Sequence, residues 1–227
     1  MKWIAPAAVA AVAFSACKPA STSGSGDDTP KEGYTTITPD FPKPMFEGTP
    51  VPPGDIPNLE KPGTPRMSFQ APEGTELISK GKPVTSSESA PIIGELEYVT
   101  DGEKDGGDGS YVELGPQKQW VQIDLEEEYD IFGIIVWHFH KSANIYFDVV
   151  VQVSNDPEFG TSETVYNNDH DNQMGFGEGA DNAYVETNHG RIIEVDGKKG
   201  RYVRLYSRGN SANELNHYVE VEVYGKK

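Results

Sequence analysis

Residues 119–137, QWVQIDLEEEYDIFGIIVW, contain two runs of apolar residues on either side of an acidic stretch. Both runs are rich in Val, Ile and aromatic residues, which favour β-strands. The second run is apolar on both faces of the predicted strand, with Ile135 and Trp137 on one face and Ile134 and Val136 on the other. We therefore expect this strand to lie in the middle of a sheet, with its outer face covered by another segment.

Three further segments have the same character: YFDVVVQVSND (146–156), RYVRLYS (201–207) and HYVEVEVYG (217–225). In the last of them, valines alternate with Glu220, Glu222 and Tyr224, a pattern that predicts one solvent-exposed face. Turn-forming pairs such as Asp101-Gly102 and Asp196-Gly197 separate the strands. No segment keeps a helical period for more than about two turns. The sequence predicts an all-β antiparallel sandwich or barrel.

The amino terminus has the pattern of a secretory signal, because Lys2 precedes an uncharged apolar run at 3–14. This run is shorter than the roughly 20 residues that a membrane-spanning helix needs. Cys17, the single cysteine, follows directly, and VAFSAC (12–17) resembles the lipobox of bacterial lipoproteins, with Phe14 where Leu is usual. This resemblance implies a signal peptide at 1–16, a lipid on Cys17 and a protein anchored in the cell envelope, periplasmic or surface-exposed. The alternative is a plain signal peptide with an incidental cysteine.

Residues 17–75 are rich in Pro, Gly, Ser and Thr, which predicts a disordered, proline-rich linker. Three apolar side chains within it, Phe41, Met45 and Phe46, are candidates for packing on a folded domain. The remaining residues, 76–227, have the size of one domain.

Five segments of that domain resemble, in order, a discoidin domain, also called the coagulation factor 5/8 C-terminal type. They are KGKPVTSS (80–87), VTDGEKD (99–105), the stretch 119–137, VVVQVSND (149–156) and the two last strands, RYVRLYS and HYVEVEVYG. This family includes the family 32 carbohydrate-binding modules. The resemblance implies a galactose-binding-like jelly-roll sandwich of about eight strands that binds ligands in loops at one end.

The formal charge of −17 argues against nucleic acid and against anionic lipid head groups as partners. The acidic stretch DGEKDGGDG (101–109) offers the oxygen ligands that calcium prefers. In sugar-binding members of the family, a structural calcium lies between the Asp-Gly turn and a glutamate of the last strand. This resemblance implies Asp101 and Glu220 as ligands, with Asp105 as a further candidate and a carbonyl from Glu103. The alternative is a solvated acidic turn.

His138 and His140 are two residues apart on a strand and so share a face. With a third ligand they could hold zinc or copper, but no motif supplies that ligand. The resemblance instead implies a basic residue that hydrogen-bonds sugar hydroxyls at the end of this strand, and His138, His140 and Lys141 are the candidates. Histidines that only complete the core are the remaining alternative.

Sugar recognition also needs an aromatic surface and planar polar groups. The resemblance implies Tyr111 as the first candidate for the aromatic residue, with Tyr146 as the second. Trp120 and Trp137 lie within strands and are expected in the core. Candidates for the polar groups are Asn144, Asn168, Arg208, Asn210 and Asn213. No catalytic motif is present. The sequence thus predicts a non-catalytic binder of a glycan or glycoconjugate; a protein-interaction module using the same loops is the alternative, and a histidine-based metalloenzyme a remote one.

Overall fold

The computed structural model describes residues 31–46, 54–61, 63 and 65–227. The predicted signal peptide and Cys17 lie outside these residues, as does the first part of the predicted linker. Within the described ranges, no helix is long and apolar enough to cross a membrane.

The described chain is all-β and antiparallel apart from a short 3₁₀ helix, Leu96–Thr100. The first six strands are β1 (Tyr34–Ile37), β2 (Phe69–Pro72), β3 (Glu76–Leu77), β4 (Val84–Ser86), β5 (Val112–Leu114) and β6 (Gln119–Trp137). The last five are β7 (Val150–Ser154), β8 (Glu163–Asn167), β9 (Arg191–Ser207), β10 (Asn216–Tyr218) and β11 (Glu220–Lys226).

The long strand β6 organises the molecule. The main sheet has the order β3-β11-β6-β9-β7-β8, and β4 also pairs with β6. The first part of β6 pairs with β4 and its second part with β11, while β9 accompanies it on the other side along most of its length. The pairing with β9 is interrupted between Asp124 and Tyr129, where Glu126 has a φ of 68°. The two predicted runs are therefore one strand with an irregularity at the acidic stretch.

The main core lies between this sheet and the short β5–β10 ladder. Val112 and Leu114 of β5 and Tyr218 of β10 are fully buried against residues of the sheet. Those residues are Val121, Ile123, Val151, Val203, Leu205, Val221 and Val223. The valines of β11 that share one face, Val221 and Val223, lie in this core, and the fold is the predicted sandwich.

Strands β1 and β2 are separated by residues 38–68 and form a two-stranded antiparallel ladder, here called the hairpin, over the outer face of the main sheet. Phe69 of β2 lies over Gly133 of β6, where a Cβ atom would come within 2.4 Å of the phenyl ring. Phe69 also packs edge-on against Tyr224 at 5.4 Å. Only a residue without a side chain allows this approach, so Gly133 fits the hairpin to the sheet.

This hairpin confirms that a further segment covers the central strand, and it corrects two other predictions. Glu220 and Glu222 were expected on a wet face, yet they are 1% and 3% exposed because the hairpin and neighbouring loops cover that face. The hairpin strands fall inside the predicted linker 17–75, so the folded unit includes residues before 76. Their alternating apolar residues pack on the sheet, which the proline content of the surrounding sequence concealed.

The segment after β1 continues across the same face. Phe41 packs against the rings of Trp137 and His189, at centroid distances of 6.5 and 5.3 Å. Asn188 donates a hydrogen bond to the carbonyl of Pro42, and Lys104 donates to that of Asp40. Phe41 therefore packs on the domain as predicted, whereas Met45 is largely exposed.

Candidate functional site

A pocket of about 340 Å³ opens at the end of the sandwich where β9 ends. Its lining comes from three parts of the chain: Gln117, Phe147 and the loop of residues 208–214. The segment 145–147 pairs with this loop, since Phe147 N donates to the carbonyl of Gly209 and Arg208 N donates to that of Phe147. One wall of the pocket is therefore a small ladder between two loops.

Two of the predicted binding residues, Arg208 and Asn210, line this pocket. The guanidinium of Arg208 is partly exposed and lies 3.6 Å from the carboxylate of Asp148. The side chain of Asn210 is buried and holds the loop together, since its Nδ2 donates to Asn213 Oδ1 and to the carbonyl of Leu215. Arg208 can thus face a ligand, whereas Asn210 shapes the loop.

A cluster of three carboxylates lies beside Arg208. Ligand atoms of Asp148, Asp169 and Asp171 all lie within 4.8 Å of one another, and they form the one such group in the part of the chain that the structure describes. Burial raises the pKa of Asp148, and the charges of Asp169 and Asp171 raise it further. The sequence segment NNDHDN shows two of these residues, but nothing in it indicates that Asp148 joins them.

The histidine pair has a different environment from the predicted one. His138 and His140 are both 0% exposed. Nδ1 of His138 lies 3.1 Å from Oε2 of the buried Glu186, and its ring stacks on Tyr146 at 4.2 Å. His140 Nε2 lies 2.8 Å from the carbonyl of Lys104. Burial keeps both rings away from solvent, so they complete the core rather than line the pocket.

Burial also shifts the protonation of this pair. It lowers the pKa of His138 to about 3 and raises the pKa of Glu186 to about 8. Both shifts favour the neutral forms of the two side chains, in which the carboxyl group of Glu186 can donate a hydrogen bond to Nδ1 of His138. Among the described residues, neither histidine belongs to a group of three metal-ligand side chains. The geometry thus gives the metalloenzyme hypothesis no support.

The two predicted aromatic residues, Tyr146 and Tyr111, do not line the pocket. Tyr146 is 2% exposed and its hydroxyl lies 2.8 Å from Nδ1 of His217. Tyr111 is partly buried against Phe139 and His217, at centroid distances of 4.6 and 5.6 Å. The aromatic side chain that does line the pocket is Phe147, the neighbour of Tyr146. Sequence alternation could have suggested it, since adjacent residues of an extended segment point to opposite sides.

Lys141 and Asn144 complete the set of predicted binding residues. The ammonium of Lys141 lies 2.6 Å from Oδ1 of Asp108 on the surface. The carbonyl of Asn144 accepts a hydrogen bond from the amide of Glu186. Neither residue lines the pocket.

The predicted calcium residues are only partly brought together. Oε2 of Glu220 accepts a hydrogen bond from the amide of Gly102, whereas Oε1 is buried without a hydrogen-bond partner. Burial raises the pKa of Glu220 to about 9, with smaller contributions from the charges of Glu222 and Asp101. Asp101, Asp105 and Glu220 do not bring three side-chain oxygens within 4.8 Å of one another.

Comparisons with known proteins agree with this fold. A family model described as "F5/8 type C domain" matches residues 83–221, more than half of the chain. A search of curated proteins found no match.

Solved structures are similar at low identity. The truncated AlyQ with CBM32 and alginate lyase domains is 18% identical with a TM-score of 0.50, covering 67% of this chain and 34% of that one. The CBM32 of AlyQ in complex with 4,5-unsaturated mannuronic acid is 19% identical with a TM-score of 0.47, covering 62% of this chain and 92% of that one. A chitosan-binding module from Paenibacillus sp. IK-5 is 18% identical (TM-score 0.49; 66% and 99% covered).

Proposed function

Because the chain belongs to the F5/8 type C domain family, we propose that its sandwich binds a carbohydrate, without catalysis, in the pocket beside Phe147 and Arg208. The observation that supports this proposal is the pocket itself, which combines one aromatic ring with a guanidinium, amides and a hydroxyl. Such groups match the apolar face and the hydroxyl groups of a pyranose.

The size of the pocket limits the ligand. About 340 Å³ is near the lower end of the range of roughly 300–1,000 Å³ for small-molecule sites. We therefore propose that the pocket takes a monosaccharide or the end of a glycan chain, rather than the middle of a long polysaccharide.

A glycan array followed by calorimetry on the hits tests this proposal. Arg208→Ala should weaken binding about threefold to thirtyfold, because a neutral or charged hydrogen bond to the sugar is lost. Arg201→Ala is the matched control, because the guanidinium of Arg201 binds Asp124 instead. Arg201 lies on β9, seven residues before Arg208, which corresponds to about 23 Å along an extended chain. The control should bind like the parent.

Free monosaccharide should compete for the parent protein, and added salt should have little effect. If no glycan binds the parent, the carbohydrate proposal fails, and the protein-interaction module becomes the favoured function. Equal loss in both arginine variants would place the site elsewhere.

We also propose a structural calcium at Glu220. The buried, unpartnered Oε1 and the raised pKa of this carboxylate fit a site for a cation, which would compensate the buried charge. Asp101 and backbone carbonyls of residues 101–105 would supply further oxygens. Calcium would add rigidity to the loop and take no part in a reaction.

Calcium should stabilise the folded protein by about 2.7 kcal/mol at a free concentration a hundred times its Kd. Melting curves with millimolar calcium and with a chelator measure this difference. Glu220→Gln should abolish it, whereas Glu76→Gln, on a neighbouring strand, should keep it. Identical curves for the parent under both conditions would exclude the site.

We propose further that the protein is a lipoprotein of the cell envelope, anchored through Cys17. Two or more acyl chains suffice for stable membrane attachment. Cys17→Ser should move the full-length protein from the detergent phase to the aqueous phase in a partition experiment. Unchanged partition of this variant would contradict the anchor.

A further inference from the structure

Three buried side chains form a hydrogen-bonded chain behind the pocket wall. The hydroxyl of Tyr146 lies 2.8 Å from Nδ1 of His217, and Nε2 of His217 lies 3.0 Å from Oε2 of Glu113. A carboxylate only accepts hydrogen bonds, so Nε2 carries the imidazole proton and Nδ1 accepts from the phenol. Glu113 thus fixes the tautomer of His217, and His217 fixes the direction of the hydroxyl group of Tyr146.

Tyr146 lies in the middle of the segment that builds the pocket wall. It pairs with Asn210, while the amide of Ser211 donates to the carbonyl of Ile145 at 2.9 Å. The next residue, Phe147, exchanges hydrogen bonds with the loop through Gly209 and Arg208 at 3.0 and 2.9 Å. A shift of the Tyr146 backbone would therefore move the segment that carries Phe147 and that pairs with the loop carrying Arg208.

We propose that Glu113, His217 and Tyr146 are positioning residues that hold the pocket wall and make sugar affinity depend on the protonation of His217. The claim that protonation of His217 changes sugar affinity rests on the proposed function. The claim that the three residues hold the pocket wall does not.

The surroundings of His217 set the direction of the pH dependence. Glu113 approaches it from β5, Tyr146 from the loop, and His138 from the segment that follows β6. The rings of Tyr111 and Phe139 cover it. Burial lowers the pKa of His217, and Glu113 opposes this effect. When the pH falls through this pKa, Nδ1 becomes a donor and the phenol proton loses its acceptor. The wall should then loosen and sugar affinity should fall in acid.

Hydrogen exchange on the full chain without sugar tests the wall directly. Tyr146→Phe should make the amides of Phe147, Arg208 and Ser211 exchange about threefold to tenfold faster, as expected for one lost hydrogen bond. Tyr166→Phe is the matched control, because it removes the hydroxyl of another buried tyrosine, one that donates to the carbonyl of Asn182 instead. Unchanged exchange in Tyr146→Phe, or the same increase in the control, would overturn the proposal.

Calorimetry between pH 4.5 and 8 tests the link to affinity, with the disaccharide GalNAc-β-1,3-galactose as the probe. Glu113→Gln should move the acid midpoint of the affinity profile to lower pH, because the carboxylate that favours protonated His217 is gone. A purely structural role would change the affinity at every pH and leave the midpoint in place, which would overturn the proposal.

The two measurements separate the two possible failures. If the disaccharide and the glycan array give no binding, the proposed function fails, and hydrogen exchange still decides whether the chain of residues holds the wall. If Tyr146→Phe does not fold, hydrogen exchange is measured instead on Glu113→Gln and on the parent, at pH 7 and pH 5. The lower pH should speed the exchange of the wall amides more in the parent than in this variant. Equal acceleration in both would contradict the proposal.

Discussion

Two parts of the molecule, the outer face of the second half of β6 and the pocket, differ in what covers them. The outer face of its second half is closed by the β1–β2 hairpin, with Phe69 against Gly133 and Phe41 against Trp137. The pocket end is open, and its wall depends on backbone hydrogen bonds between residues 145–147 and 208–211. Apolar packing therefore stabilises the face under the hairpin, whereas backbone hydrogen bonds stabilise the pocket wall.

This difference separates stability from binding. A side chain removed from the closed face leaves a cavity in a packed core, whereas one removed from the pocket is replaced by water. Changes under the hairpin should therefore lower the free energy of unfolding, and changes in the pocket should alter ligand affinity alone.

The largest effect is expected for Phe69→Ala. Phe69 is 3% exposed and contacts Tyr224 and the backbone of Gly133. Removing a buried phenyl ring costs about 3–5 kcal/mol in free energy of unfolding, which denaturant titration measures. Met67→Ala is the control, since that side chain is 43% exposed and its removal should cost less than about 0.5 kcal/mol. Equal stability of the two variants would show that the hairpin does not hold this face.

A smaller effect concerns the buried pair of His138 and Glu186, whose histidine ring stacks on Tyr146. The pKa of Glu186 is about 8 in the folded protein, above its usual 4.5. The contribution of Glu186 to the free energy of unfolding therefore falls as the pH rises from 4.5 to 8. The pKa of His138 is about 3, below its usual 6.5. The contribution of His138 to the free energy of unfolding therefore falls as the pH falls from 6.5 to 3. The two slopes cancel between about pH 4.5 and 6.5.

Glu186→Gln isolates the two contributions, because its amide can still donate to Nδ1 of His138. From pH 6.5 to 8 the parent should lose about 2 kcal/mol relative to this variant, at about 1.4 kcal/mol per pH unit. Below pH 6.5 the variant should become less stable with falling pH, while the pair in the parent gives no net slope. Parallel stability curves from pH 4.5 to 8 would contradict the assigned protonation states.

The sequence predicted the strands from their high content of Val, Ile and aromatic residues. Val121, Ile123 and Leu125 are buried as their spacing indicates, and the two apolar faces of the second half of β6 are both covered. What alternation does not show is which segment provides the cover. The hairpin comes from a proline-rich region in which four-residue strands carry too little pattern to stand out.

The pocket was predicted only in part, for a related reason. Arg208 follows the end of a strand, which placed it correctly in an end loop. His138 and His140 also lie at a strand end, yet Glu186 and the carbonyl of Lys104 meet them inside the fold. These partners are 48 and 36 residues away in the chain. Spacing therefore indicates a shared face, but it cannot distinguish a buried partner from a bound ligand.

The smallest effect is expected for Glu214→Gln at the mouth of the pocket. Glu214 is exposed and lines the pocket, and the nearby Arg208 is already opposed by Asp148. Removing an exposed charge should change the free energy of unfolding by less than about 0.5 kcal/mol. In this variant, an anionic sugar in the pocket would be repelled by one negative charge fewer. Because that charge lies a few ångströms away in a medium close to water, its removal should raise the affinity by at most about threefold. Calorimetry should show this gain for an anionic sugar identified on the glycan array, while a neutral sugar from the same array should bind as to the parent. An equal change for both sugars would mean that Glu214 contacts the sugar directly and that the pocket mouth is narrower than its open geometry indicates.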